Sequence, residues 1–344
     1  MIVRKDEITF ESSDMRFVKH CGIENATEIV RRHYDRFSTP FIGDMFQLSA
    51  FLRIKLKELH EITDHIEQHY TEIHIPKRHG GFRILNRPDD QLDRLQRIIL
   101  NRILNKMDCS PYATAYHKGA KLIDNASPHV GKRYLLKTDV ADFFGSIRFD
   151  KVYQYAFSSI CYPKEVGTFL TMLCCLGDVL PQGTCTSPAL SNLFMQPFDN
   201  SFSGWCKKRG FNYTRYCDDI TVSGDNSLYP AYLKAKELLS QRGLLLNEDK
   251  THFITDSFRQ TVTGLTVNEK VNVTAAYKRK LRQELYYTDR FGIESAAQYL
   301  HQPDAKKYYQ QLMGRLNFVL SIEPDHTYFI KAKGKLSEQR VEII

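Results

Sequence analysis

Apolar positions along this chain change period several times, and each change predicts a different element. From Asn25 to about Tyr70, apolar and charged residues mix at helical spacing, as in Phe51-Leu52-Arg53-Ile54-Lys55-Leu56-Lys57-Glu58-Leu59. The stretch Ile75-Pro76-Lys77-Arg78-His79-Gly80-Gly81-Phe82-Arg83-Ile84-Leu85 sets Gly-Gly between strand-forming flanks and predicts a hairpin. Leu92, Leu95, Ile98, Ile99 and Ile103 then mark the packing face of a helix over about 89–106. Leu135-Leu136-Lys137-Thr138-Asp139-Val140 is an apolar strand ending in a carboxylate. Helical spacing returns between Ile147 and Leu180, including Val152, Tyr155 and Ala156. Pro181-Gln182-Gly183 makes a bend, and Ser187-Pro188 opens a helix that continues through Asn192. Two runs rich in aromatic and β-branched residues, Phe211 to Arg215 and Ile220 to Ser223, flank a tight turn at Tyr216-Cys217-Asp218-Asp219. A helix from Tyr232 to Gln241 ends at Gly243, and two or three more follow Ala275.

Composition bounds the class. At 344 residues the chain can bury sizeable cores and divides into two or three lobes. Hydrophobic content of 42% with 26% charged residues describes a globular protein. No apolar run reaches the length of a membrane span, and Met1-Ile2-Val3-Arg4-Lys5-Asp6-Glu7 lacks the apolar core of a signal peptide. Eight cysteines are scattered without paired metal-ligand spacing, Cys174-Cys175 being adjacent, which reads as a reduced cytoplasmic chain with no membrane partner. A net charge of +8 permits a nucleic-acid partner without requiring one. Lys278, Arg279, Lys280 and Arg282 cluster in one helical stretch, with Lys306, Lys307 and Arg315 in the next; such a face can track a phosphate backbone or simply be solvated.

The chemistry begins with carboxylates. A turn that thrusts Asp218 and Asp219 out of a hairpin is costly unless something positive neutralises them, and hard oxygen ligands suit magnesium. Asp also occupies turns for purely backbone reasons. Asp139 changes that balance: brought beside Asp218 on a neighbouring strand, it makes a two-metal site whose ions, roughly 3.5–4 Å apart, clamp the attacking and leaving oxygens of a phosphoryl transfer. Nucleotidyl transfer otherwise needs positioning and charge neutralisation. The basic hairpin suits an incoming triphosphate, Lys as a point charge and Arg as a fork, and is otherwise an exposed basic loop.

The order of Asp139 on its strand, Pro181-Gln182-Gly183 with Ser187-Pro188, and Tyr216-Cys217-Asp218-Asp219 resembles the palm of a reverse transcriptase. Leu246-Asn247-Glu248-Asp249-Lys250-Thr251 resembles that family's next motif, and Gln260-Thr261-Val262-Thr263-Gly264-Leu265 its primer-grip hairpin. The resemblance covers roughly residues 70 to 275. Asn125-Ala126-Ser127-Pro128-His129 and Val262-Thr263-Gly264 are similar to short elements of bacterial retron enzymes, although Gly264 also suits a strand bend and His129 a structural histidine. Cys217 stands where many relatives carry Ala; a small residue still fits there, and a thiol beside metals invites oxidation.

The resemblance implies an α+β right-hand polymerase: fingers, a palm built on a ferredoxin/RRM-like antiparallel sheet with helices, and a helical thumb. In this chain it implies an N-terminal extension over 1–70, fingers over 71–130, a first palm strand over 131–147, and fingers–palm helices over 148–179. Palm over 180–255, primer grip over 256–275 and thumb over 276–344 complete the order. It implies two Mg2+ ions, replaceable by Mn2+, held by Asp139, Asp218, Asp219 and the carbonyl of Val140. Lys250 approaches the triphosphate as general acid. Lys77, Arg83, Asp142, Phe143, Phe144 and Gln182 bind the nucleotide, with Phe144 as the gate that excludes a 2′-hydroxyl; Phe144 otherwise reads as a core aromatic, and Phe143, facing the other way, more so. Asn125, His129, Val262, Thr263, Gly264, Lys278, Arg279, Lys280 and Arg282 bind RNA or primer. The expected activity is RNA-directed DNA synthesis from dNTPs. In a retron enzyme the template and primer belong to one structured non-coding RNA, copying starts at a guanosine 2′-hydroxyl, and an effector protein joins it in anti-phage defence. With no RNase H segment expected, template trimming falls to a separate nuclease. The alternatives are a diversity-generating, intron-encoded or abortive-infection reverse transcriptase, and a catalytically silent RNA-binding scaffold.

Overall fold

The computed structural model describes residues 2–4, 7–9, 11–77, 80–302 and 304–339. It is a mixed α+β fold with strands β1 (Ile2–Arg4), β2 (Glu7–Thr9), β3 (Tyr70–Pro76), β4 (Phe82–Pro88), β5 (Tyr134–Val140), β6 (Asn212–Tyr216), β7 (Asp219–Gly224), β8 (Leu246–Thr255), β9 (Thr261–Val262), β10 (Leu265–Thr266) and β11 (Asn272–Val273). The chain divides into two compact units. No helix among the described residues is long and apolar enough to cross a membrane.

The first unit comprises Met1–Ala120, Lys137–Ile220 and Tyr229–Thr251. Its N-terminal part is helical over Ile23–Phe37, Met45–Leu52 and Leu56–Asp64, as the apolar spacing predicts, and also over Met15–Cys21, ahead of that stretch; β1 and β2 pair before these helices. The Gly-Gly hairpin forms between β3 and β4, with Ile75 opposite Arg83 and Pro76 opposite Phe82; Arg78 and His79 lie outside the described residues. Asp89 caps the following helix, Asp90–Arg102, by accepting from the Leu92 amide at 2.8 Å. Leu92, Leu95 and Ile99 are its buried face, and a short tight turn, Leu104–Lys106, replaces the predicted last helical turn. Ser187 and Pro188 open a helix that runs to Lys207, because Pro at the first turn gives up an amide that has no helical partner anyway. The helix before Gly243 is Tyr229–Ser240, and Gly243, at φ +75°, closes it by donating to the Ser240 carbonyl.

Strand order in the four-stranded sheet is β6-β7-β5-β8. β6 and β7 are joined by two residues, Cys217 and Asp218, while the β7-β5-β8 neighbours are distant in sequence. Three of these strands run on into residues of the second unit, which comprises Lys121–Leu136, Thr221–Leu228 and His252–Ile344. That unit packs the small sheet β11-β10-β9 with four helices, Ala275–Phe291, Ile293–Tyr299, Ala305–Ile322 and Thr327–Glu338. Among the described residues four helices start at or after Ala275 where two or three were expected, Gly292 at φ +80° separating the first two. Val262, Leu265, Leu312, Leu316, Val319 and Phe329 form its dry core.

Candidate active site

Sheet order sets the three carboxylates. β5 brings up Asp139, the β6–β7 turn carries Asp218, and Asp219 opens β7, the strand next to β5. The Val140 amide donates to the Asp218 carbonyl at 3.2 Å, which fixes the strand end against the turn. Cys217 takes φ +61°, a left-handed conformation that a non-glycine residue holds only where its surroundings enforce it. Side chains 139 and 219 are in hydrogen-bond contact, and the Lys250 ammonium on β8 donates to Asp139 Oδ2. Asp139, Val140, Asp218, Asp219 and Lys250 therefore meet at one place, as the motif order requires.

The electrostatics of this cluster are those of crowded acids. Burial opposes ionisation of Asp139, but bonds from the Asp219 carboxyl and from Lys250 prevail and hold it below the usual carboxylate range. Asp219 is pushed up to about 8, first by burial, then by the Asp139 carboxylate it touches and by the charge of Asp218. Two adjacent anions repel, so the pair favours retaining one proton on Asp219. Among the described residues no group of three Asp, Glu, His or Cys side chains is already arranged as a cage for an ion. The donor chemistry nonetheless fits a divalent cation: three hard carboxylate oxygens, two crowded enough to retain a proton that a cation would displace.

The loop Pro181 to Ser187 is stapled from within. Ser187 Oγ donates to the Pro181 carbonyl at 2.7 Å, and Thr184 and Ser187 hydroxyls bond at 2.7 Å. The Gln182 carbonyl accepts from the Asn86 amide at 2.7 Å, which ties the loop to the base of the β3–β4 hairpin. Gly183 permits that approach: its φ is +118°, and a Cβ there would stand 3.1 Å from the Asn86 carbonyl oxygen. Lys77 and Arg83 are exposed on the hairpin, Gln182 and Phe144 are half-buried, and Asp142 is exposed at φ +40°. Phe143 is 4% exposed, its ring 5.4 Å from that of Phe144. A ring so enclosed packs the core, and its inclusion among nucleotide contacts is corrected accordingly.

A family described as "Reverse transcriptase (RNA-dependent DNA polymerase)" matches residues 75–281. The chain belongs to the reverse transcriptase family. It is 30% identical over 308 residues to the retron Ec86 reverse transcriptase of Escherichia coli, spanning 87% of this chain and 91% of that one. The retron Mx65 reverse transcriptase of Myxococcus xanthus is 31% identical over 288 residues, 78% of this chain and 65% of that one. Among solved structures, the foamy viral protease-reverse transcriptase dRH in complex with double-stranded DNA aligns with TM-score 0.42 at 15% identity, over 78% of this chain and 43% of that one. The activity is RNA-directed DNA polymerisation, and reverse transcriptases generally use divalent metal ions.

The residues expected to touch RNA in this reverse transcriptase divide when placed in the second unit. Thr263 and Gly264 reach the surface, at φ +45° and +82°, and Arg279, Lys280 and Arg282 are exposed. Asn125, His129 and Val262 are buried at 1%, 0% and 0% exposure, which corrects the expectation of direct RNA contact: no surface remains to offer. Asn125 instead lies 3.5 Å from the Thr263 hydroxyl, where the two retron-like motifs meet, and His129 Nδ1 lies 2.7 Å from Ser223 Oγ on β7. Lys278 is engaged with Glu323, both Nζ–carboxylate distances being 2.9 Å, and Arg315 with buried Glu284, so neither offers the free charge that a basic helix face implied. Arg282 lies over the rings of Tyr328 and Phe329 at 5.6 and 5.4 Å.

Two consequences are measurable. Burial pushes His129 down to about 3, so this imidazole is folded neutral while an unfolded one protonates near 6.5. The unfolded chain then binds the extra proton between those values, and stability falls as pH drops below about 6.5, by about 1.4 kcal/mol per pH unit for one proton. Thermal unfolding from pH 7.5 to 4.5 is expected to show that slope, and His129→Gln to flatten it; an unchanged slope in the variant would assign the acid sensitivity elsewhere. Burial, then the Asp218 carboxylate, pushes the Cys217 thiol up to about 12. A buried, protonated thiol is inert, which corrects the expectation of oxidation sensitivity. Native protein treated with iodoacetamide at pH 7.5 should show Cys217 unmodified by peptide mapping, and rapid labelling there would contradict its burial.

Proposed function

We propose that this reverse transcriptase is a retron enzyme that copies part of one cognate structured RNA into single-stranded DNA, starting from a guanosine 2′-hydroxyl of that RNA. The observation that carries the reading is the meeting of Asp139, Asp218 and Asp219 in a chain that parallels the Escherichia coli retron enzyme over 91% of its length. A divalent pair, Mg2+ or Mn2+, held by Asp139, Asp218, Asp219 and the Val140 carbonyl would lower the charge on the reacting phosphate and the attacking oxygen.

The chain's own groups do the rest. Lys77 and Arg83 receive the triphosphate on the β3–β4 hairpin, and Asp142 and Gln182 line the nucleotide site. Phe144 sits under the sugar and excludes a 2′-hydroxyl by clash. Lys250, kept charged by its bond to Asp139, supplies the proton to the departing pyrophosphate. Thr263, Gly264, Arg279, Lys280 and Arg282 supply the exposed surface for the RNA, while Asn125 meets the primer grip at Thr263 and His129 is bonded to Ser223 on β7. An effector protein acting with the enzyme in phage defence in the cytoplasm completes the reading, supported by the retron relatives alone.

The test is to purify the protein from cells carrying its own genomic neighbourhood and sequence what comes with it. A short DNA joined through a 2′ branch to a structured RNA is expected. Unbranched or heterogeneous cDNA would point to another class of reverse transcriptase, and RNA without DNA to a silent scaffold.

A further inference from the structure

Arg215 is among the largest fully buried side chains of the described residues, and no reaction step uses it. Its guanidinium donates through Nε to Asp199 Oδ1 at 2.9 Å and through Nη2 to Asp199 Oδ2 at 2.6 Å, with both residues 0% exposed. Tyr213 OH also donates to Asp199 Oδ1, at 2.6 Å. The third guanidinium nitrogen, Nη1, faces the other way: it donates to Asn192 Oδ1 at 3.1 Å and to the carbonyl of Cys217 at 2.9 Å. The main chain of Arg215 is held as well. Its amide donates to the Tyr112 carbonyl at 2.8 Å, and its carbonyl accepts from the Thr114 amide at 2.8 Å and the Thr114 hydroxyl at 3.0 Å. Asn192 donates to the Ala115 carbonyl at 2.8 Å. One arginine thus joins the Ser187–Lys207 helix, the 112–115 segment and the turn that carries Asp218.

A buried ion pair is a poor way to stabilise a fold, since apolar side chains of similar volume commonly do as well or better. What apolar side chains cannot do is donate to a carbonyl. Cys217 is the left-handed residue of the turn, and its carbonyl points to Nη1 from the residue immediately before Asp218. We infer that Arg215, fixed by Asp199, is a positioning residue: it holds the Cys217 peptide in its left-handed setting and so aims Asp218 and Asp219 for metal binding. The inference rests on the metal-site reading given above. Lysine cannot substitute, because a point-charge ammonium that pairs with Asp199 lacks the rigid fork that also spans Asn192 and the turn.

The experiment measures Mn2+ binding to the full-length protein without nucleic acid, by the loss of the free-ion electron paramagnetic resonance signal, beside thermal unfolding. Asp218→Ala is the control and should abolish tight binding; if it does not, the metal-site reading fails rather than the clamp. The triple variant Tyr213→Phe/Asp199→Leu/Arg215→Met removes the pair without stranding a polar partner of Asp199. It should unfold near the wild-type temperature yet bind Mn2+ about ten- to a hundredfold more weakly, the usual effect of disturbing groups that orient metal ligands. Wild-type Mn2+ affinity in the folded triple variant would overturn the proposal and leave the pair a packing feature. Should the triple variant fail to fold, Arg215→Lys decides: about tenfold weaker Mn2+ binding is expected, and unchanged binding overturns the inference.

Discussion

Protein carrying Asp218→Ala and Asp219→Ala together is expected to make no detectable DNA on an RNA template, a loss of about a thousandfold or more. The two side chains supply most of the negative charge that would hold the metal pair, and the contribution of such ions to transition-state charge is several kcal/mol. Primer extension with either Mg2+ or Mn2+ reads the result. Residual synthesis within tenfold of wild type would move the reaction away from this turn. Neutralising Asp219 alone has an opposite effect on folding. In protein free of divalent ions, Asp219 has a folded pKa raised to about 8, well above its unfolded value near 3.9. The folded state then binds more protons than the unfolded one between those values, so stability is fully present below about pH 4 and is lost as pH rises towards 8. Asp219→Asn is therefore expected to raise the unfolding temperature at pH 8 while abolishing synthesis, a trade of stability for function common at active sites. A variant less stable than wild type at pH 8 would show that the crowding is not felt.

Gly183→Val is expected to raise KM for dNTPs at least about tenfold with little change in RNA affinity. Valine must adopt φ +118°, where a β-branched residue is strained by about 1–3 kcal/mol. Its Cβ would also stand 3.1 Å from the Asn86 carbonyl and 3.3 Å from the Asn86 amide nitrogen, backbone atoms with little room to retreat, at a further cost of about 1–3 kcal/mol. The cheapest relief is to break the bond between the Asn86 amide and the Gln182 carbonyl and swing the loop off the hairpin. Gln182 would then leave the nucleotide site while the sheet carrying the acids stays intact. Steady-state kinetics with varied dNTP separate KM from kcat; an unchanged KM in a folded variant would remove Gln182 from the proposed pocket.

Local chemistry made much of this protein readable in one dimension. The Gly-Gly hairpin, the Ser187-Pro188 helix start and the strand–turn–strand around Asp218 all rest on dihedral preferences and short-range hydrogen bonds, and each forms. Motif order located the acids because a strand ending in a carboxylate and a turn bearing two more are visible without knowing what lies opposite. Burial was not visible in that way. Asn125 and His129 read as RNA contacts through the retron resemblance, which carries no information on burial, and their partners, Thr263 and Ser223, are 138 and 94 positions away. Lys278 likewise looks free until Glu323, 45 residues on, is seen beside it.

Sequence alone established the element types, the three aspartates and the family resemblance, because propensity, turn stereochemistry and side-chain identity are properties of neighbouring residues. Tertiary structure alone decided which polar groups face inward, that the Asp139 and Asp219 carboxyl groups touch, and that Arg215 reaches Asp199 across 16 positions to hold the Cys217 carbonyl. Desolvation and long-range pairing depend on what the folded chain brings opposite each group, and no local pattern encodes that.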